Sequence, residues 1–166
     1  MKADPVAQLK EKILEAFADV SYPGDDQLVT HSDCFERDAI RTFFKGKHWR
    51  DINLEWLNRE YSQDPSACLG FMTPQAFRYY LPAYLLISID NFTESDVIPE
   101  ATVWKLTAPE HAGSDMDRFM ERMEGLTKKQ VQAIRTFLEF WKAEHVQDHE
   151  SRNDSVIALQ RYWNNK

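Results

Sequence analysis

The sequence predicts an all-α fold, a single compact domain spanning residues 1–166, with six or seven helices around a bent, apolar central helix. Three observations carry that prediction. Apolar residues recur at three- and four-residue spacings along most of the chain, the period of an amphipathic helix. A capping residue stands directly before proline at Asp4-Pro5, Asp64-Pro65 and Thr73-Pro74, and proline at the first helical position lacks only a donor that the helix does not use. Only "ATVWKLT" (101–107) has the composition of a short strand, and one strand has nothing to pair with.

Each element follows from local signals. After Asp4-Pro5, the residues Val6, Leu9, Ile13, Phe17 and Val20 form one stripe of a helix near 5–20, which Pro23 and Gly24 end. A second helix is expected from Asp33, with Phe35, Ala39, Ile40, Phe43 and Phe44 inward and Gly46 as its stop. "HWRDINLEWLNREY" places Trp49, Ile52, Trp56 and Leu57 at helical spacing and gives a third. Thr73-Pro74 opens the central helix. Residues 107–115, "TAPEHAGSD", read as a polar loop inside the domain. Thr127 and Gln130 then make a T-x-x-Q capping box, ahead of a face formed by Val131, Ile134, Leu138 and Trp141 that runs to about His145. Val156, Leu159 and Trp163 predict a packed C-terminal helix.

The central segment, "FMTPQAFRYYLPAYLLI" (71–87), carries proline at 82. In a regular helix Pro82 removes the N–H owed to the Arg78 carbonyl, at about 3 kcal/mol in a helix interior. The helix either kinks there, or stops near Tyr80 and restarts with Pro82 in its first turn. Residues 83–89 are apolar nearly all round, which suits a helix enclosed by others. Tyr79, Tyr80 and Tyr84 pack as bulk while their hydroxyls reach a partner or water. The bend is therefore either the shape of the core or a pocket that presents Arg78 and the tyrosines.

Residues 71–86 resemble the signature of a family of small uncharacterised bacterial proteins, approximately F-[LM]-T-P-[EQ]-A-F-R-Y-Y-L-P-A-[YF], and "LTKKQVQAIRTFLEFW" is similar to that family's closing helix. The two segments cover about a fifth of the chain. The resemblance implies a small helical protein without an assigned catalytic role. By type it also implies a likeness to the immunity partners of bacterial toxins. It carries over no site residues.

Composition narrows the function classes. Hydrophobic residues make up 43% and aromatics 13%, which excludes a disordered chain. Twenty basic against 27 acidic residues give a net charge of −7, so nucleic acid is an unfavourable partner. Cys34 and Cys68 lie far apart, outside any C-x-x-C pattern, and fit a reducing cytoplasm. The opening "MKADPVAQLKEKILEAF" lacks the apolar block of a signal peptide, and the longest apolar-rich run, Ala76 to Ile89, contains Arg78 and is too short for a membrane span.

No cofactor is expected. His145 and His149 stand four apart, yet zinc needs a third ligand such as Asp148 or Glu144, and the H-E-x-x-H order is absent. A charge-rich helix end explains the same residues. Neither a G-x-S-x-G elbow nor a glycine-rich phosphate loop occurs, so no enzyme class is selected.

Charge distribution supplies the functional expectation. Asp90, Glu94, Asp96 and Glu100 occupy 90–100 without a base, and Glu110, Asp115 and Asp117 follow. With Phe92 and Trp104 as aromatic anchors, these residues predict a non-enzymatic, partner-binding protein. Its most concrete form is an inhibitor resembling a toxin-immunity protein, which holds a basic toxin or effector domain through acidic loops. Two rival expectations stand beside it. One is a small-molecule-binding protein or enzyme with its pocket at Pro82. The other is a regulatory domain using the basic segment 39–50, with Arg41, Lys45, Lys47 and Arg50 and no acid.

Overall fold

In the computed structural model, which describes residues 4–31, 34–145 and 154–166, every regular element is a helix. Nine α-helices form among those residues: α1 (Pro5–Ala16), α2 (Phe35–Phe44), α3 (Leu54–Glu60), α4 (Cys68–Phe71), α5 (Pro74–Asp90), α6 (Ile98–Lys105), α7 (Ser114–Met123), α8 (Lys128–His145) and α9 (Asp154–Arg161). They make one compact all-α domain. Its only β pairing among the described residues is an isolated antiparallel bridge between Val29 and Met72.

The capping signals mark the helix starts. Asp4 accepts from the Val6 N–H at 3.0 Å and Thr73 from the Ala76 N–H at 3.1 Å. The capping box at α8 is reciprocal: the Thr127 N–H donates to Gln130 Oε1 at 2.9 Å, and the Gln130 N–H donates to Thr127 Oγ1 at 3.3 Å. Gly46, at φ 67°, ends the turn after α2 in a conformation that side-chain-bearing residues rarely adopt.

Several boundaries differ from the sequence reading. Helix α1 stops at Ala16, with Phe17 still fully buried beyond its end. The stretch 48–61 is divided into a 3₁₀ turn, Trp49–Asp51, and α3, because Asn53 caps the second piece by accepting from the Trp56 N–H at 2.9 Å. Phe35, expected inside, is 71% exposed at the first position of α2, on the side of the helix away from the buried pair Ile40 and Phe44. Asp33, the expected start of that helix, lies outside the described residues.

The strand-like 101–107 segment is helical through Lys105. Pro99 stands in the first turn of α6, Ile98 and Val103 are buried, and the Thr102 hydroxyl is satisfied by the Ile98 carbonyl at 2.8 Å. Helix α7 follows a stripe of Met116, Phe119, Met120 and Met123, which dense charge obscures in the sequence. These two helices account for most of the excess over the expected count.

Helix α5 is the centre of the packing. It meets α1, α4, α6 and α7, while α8 lies on α1 and α9, and α9 on α6. The helix runs unbroken through Pro82, so the stop-and-restart alternative does not occur. Residues 79–85 are all buried. The Tyr80 hydroxyl lies 2.9 Å from the carbonyl oxygens of both Phe44 and Lys47, which share its single proton, and the Tyr84 hydroxyl donates to Pro65 O at 2.9 Å. Arg78 leaves the core at one flank and clamps the end of α7, donating to Glu121 O at 2.9 Å and Arg122 O at 3.0 Å. Segment 79–85 is thus filled core whose polar tips are already used.

Two stability outcomes follow. Thr127→Ala removes the cap bond and lowers the unfolding free energy by about 0.5–2 kcal/mol, read as a shift of the denaturation midpoint. Tyr80→Phe keeps the ring but removes the hydroxyl donor shared by the Phe44 and Lys47 carbonyls, the first of which still accepts the Lys47 N–H at 3.0 Å, and should cost about 0.5–1.5 kcal/mol by the same measurement.

Candidate functional site

Two surfaces stand out, and α6 contributes to both. The first is the corner where α5 passes into α6. Four residues after Asn91, which ends α5, the Ser95 N–H donates back to Asn91 O at 2.9 Å and starts a tight turn. Asp96 completes it at φ 51°, a left-handed conformation that aspartate tolerates better than most residues. The Ser95 hydroxyl is buried and has no hydrogen-bond partner among the described residues, so the turn carries an unmet polar group as well as backbone strain. Along α6, Ile98, Pro99, Thr102 and Val103 face inward. That leaves Val97, Glu100, Ala101 and Trp104 as the outer stripe, at spacings of three and four.

Large apolar side chains are exposed there among acids: Trp104 at 55%, Val97 at 49% and Phe92 at 38%. Phe92 is steadied from below by an edge-to-face contact with Trp141 of α8, centroids 5.2 Å apart. Glu94, Asp96 and Glu100 are exposed and form no ion pair among the described residues.

The remaining acids of the expected site lie elsewhere. Asp90, the last residue of α5, is tied to Lys10 of α1 at 2.7 Å. Asp115 and Asp117 stand in the first turn of α7, not in a loop, and Asp115 is paired with Arg118 at 2.8 Å. Asp115 and Trp104 do meet, as walls of the second surface.

This second surface is a cleft of about 850 Å³ between the ends of α4 and α6, loop 107–113, α7 and α9. Four cations line it: Lys105, Arg118, Arg122 and Arg161. Arg118 is neutralised by Asp115, and Arg161 by Glu110 at 3.4 Å. Lys105 and Arg122 have no carboxylate partner among the described residues.

Gly70 brings those two cations together. Arg122 donates to the Gly70 carbonyl at 2.8 Å and lies over the Phe77 ring at 5.1 Å. The Lys105 ammonium occupies the space a side chain at 70 would take, 2.9 Å from the position of a Cβ. Burial, and then the charge of Arg122, hold the Lys105 pKa below its ordinary 10.5; burial first and Arg118 second lower that of Arg122.

The profile of a family of unknown function (DUF6714) matches residues 6–166. The chain belongs to that family. No curated protein and no solved structure matches it.

In this DUF6714 chain the other sequence candidates are largely engaged. In the basic segment 39–50, Arg41 is paired with Asp38 at 2.8 Å and Lys45 with Asp25 at 3.7 Å. Lys47 lies over Trp56 and Arg50 over Trp49. Asp25 also accepts the Tyr22 hydroxyl at 2.7 Å, which draws its carboxyl below the usual range. Burial pushes the Cys68 thiol up to about 11, which disfavours the nucleophilic thiolate. His149 lies outside the described residues, and no group of three metal-binding side chains occurs among those described. No described helix is long and apolar enough to cross a membrane.

The cations of the cleft escaped the sequence reading because they come from three helices and are interleaved with acids along the chain. The burial of the Lys105 charge, and then its repulsion by Arg122, predict a measurable liability. Lys105→Met should raise the unfolding free energy by about 0.5–1 kcal/mol near neutral pH. Because the folded pKa of Lys105 lies below the unfolded one, the unfolded chain binds the proton more strongly, and wild-type stability from this group rises as pH climbs toward 10.5. The advantage of the variant therefore shrinks at alkaline pH, which denaturant melts across that range would record.

Proposed function

We propose that this protein is a non-enzymatic binding protein whose partner is a basic protein domain, engaged through the acidic, aromatic corner between α5 and α6. One observation carries the reading: Trp104, Val97 and Phe92 stand exposed around Glu94, Asp96 and Glu100, carboxylates that form no ion pair among the described residues. Aromatic anchors bordered by like charge are the composition of an interface in which charge steers encounter and buried rings set the lifetime. The tight turn at Asp96 holds the anchors in place before binding, which reduces the ordering cost of association. In its most specific form the protein is an inhibitor of a bacterial toxin or effector domain, acting as a toxin-immunity protein does. The net charge of −7 suits a basic target.

The decisive measurement is association rate with the protein captured from the source cells, at low and high salt. Reversing Glu94, Asp96 and Glu100 to lysine should slow association at least about tenfold at low salt, and added salt should narrow the difference. Folding stability should change by well under about 1 kcal/mol at Glu94 and Glu100, which are exposed charges, while Asp96→Lys also gives up aspartate's tolerance of the left-handed φ of 51° and is checked alone by denaturation. Equal rates for wild type and variant in both salts would reduce the acidity to a solubility feature.

A further inference from the structure

We propose that the cleft between α4, α6, α7 and α9 binds a small molecule carrying a phosphate group, with the phosphate seated between Lys105 and Arg122 and the organic portion against Trp104. The proposal concerns the opposite charge and the C-terminal end of α6, and shares only Trp104 with the acidic corner.

The argument begins with charge balance. Of the four cations, two are cancelled locally by Asp115 and Glu110, and two form no ion pair among the described residues. Two uncompensated cations held against one residue call for a dianion, and a phosphate monoester near pH 7 carries about −1.5 to −2 charge. A single carboxylate would leave one of them unmatched.

Shape gives the second part. Gly70 has no side chain, and the ammonium of Lys105 fills that vacancy while Arg122 is held on the Gly70 carbonyl, so Arg122 is fixed and Lys105 stands beside it before any ligand arrives. Lys105 sits at the C-terminal end of α6, where the helix field favours a cation but supplies no carboxylate. The volume of about 850 Å³ exceeds what one inorganic anion needs and lies in the range of small-molecule sites. Trp104 lines the same cleft and is 55% exposed, offering a flat apolar wall beside the anion seat. The depressed pKa of Lys105 agrees with this geometry, since a bound anion would relieve the penalty on its charge.

The test is a heteronuclear NMR titration of the whole protein with inorganic phosphate, phenyl phosphate and phenol, against sodium chloride at matched ionic strength. Saturable shifts are expected at the Gly70 and Lys105 amides with both phosphates, at millimolar concentrations or below. Phenyl phosphate should also shift the Trp104 indole. Lys105→Met should weaken both phosphates at least about tenfold, the value of one charge-assisted contact. Trp104→Ala should weaken phenyl phosphate alone.

Each variant is checked for an unchanged fold by its remaining amide peaks. If Lys105→Met unfolds, Lys105→Gln takes its place. Shifts no larger than those from sodium chloride, or phosphate-induced shifts retained in the Lys105 variant, would overturn the proposal. So would a poly-glutamate peptide that shifts these residues where the phosphates do not, which would make the cleft a seat for an acidic protein segment.

Discussion

A helix that is apolar on all sides must be covered on all sides, and the rest of the molecule follows from covering α5. Helices α1, α4, α6 and α7 each take part of its surface. Burial alone leaves the connections between those helices unfixed. The tyrosines supply the missing specificity: Tyr80 holds the turn after α2 through two carbonyls, and Tyr84 holds the turn before α4 through one. Each hydroxyl adds a long-range hydrogen bond to a carbonyl that also accepts locally, Phe44 O from the Lys47 N–H and Pro65 O from the Cys68 N–H. The same helix sends Arg78 out to the carbonyls that end α7. That clamp fixes Arg122 opposite Gly70, so the cleft owes its form to the core helix although no residue of α5 lines it.

What could be read from the sequence was what local chemistry decides. Caps announce themselves within four residues, and Asp4, Thr73 and Thr127 all cap where their spacing places them. Segment 101–107 shows the limit of such reading. Its β-branched residues favour a strand in isolation, but with no strand to pair and α5 to bury against, Thr102 and Val103 are taken into a helix. Phe35 fails in the opposite sense: five and nine residues before the buried Ile40 and Phe44, it lies about 140° and 180° around α2 from them, on the side turned to water.

The candidate surfaces divide in the same way. Acids that are neighbours in sequence, Glu94, Asp96 and Glu100, are found together in the corner because one turn and one helical stripe hold them. The basic run 39–50 was equally visible in sequence, but Asp25, Asp38 and two tryptophan faces absorb it. The cleft was invisible because Lys105, Arg118, Arg122 and Arg161 alternate with acids along the chain. Only the folded structure shows which of those acids are close enough to cancel them.

Helix α6 is where these surfaces meet, and its composition is hard to explain by folding alone. Its inner face is ordinary core. Its outer face places Trp104 in water and its last residue places a half-buried ammonium beside a guanidinium. Replacing Trp104 by a polar residue would remove exposed apolar area, and replacing Lys105 by an apolar one would remove a desolvated charge, so neither position serves the isolated domain. A basic surface against the outer stripe and an anion in the cleft would each supply what the fold leaves unmatched. The two would also act through one eight-residue element, packed on α5 and α9. Occupancy of the cleft would hold Lys105, and through it the end of α6, in the arrangement that presents Trp104. Any coupling between the two sites would then arise from that shared tryptophan, and would be equal in both directions as linkage requires.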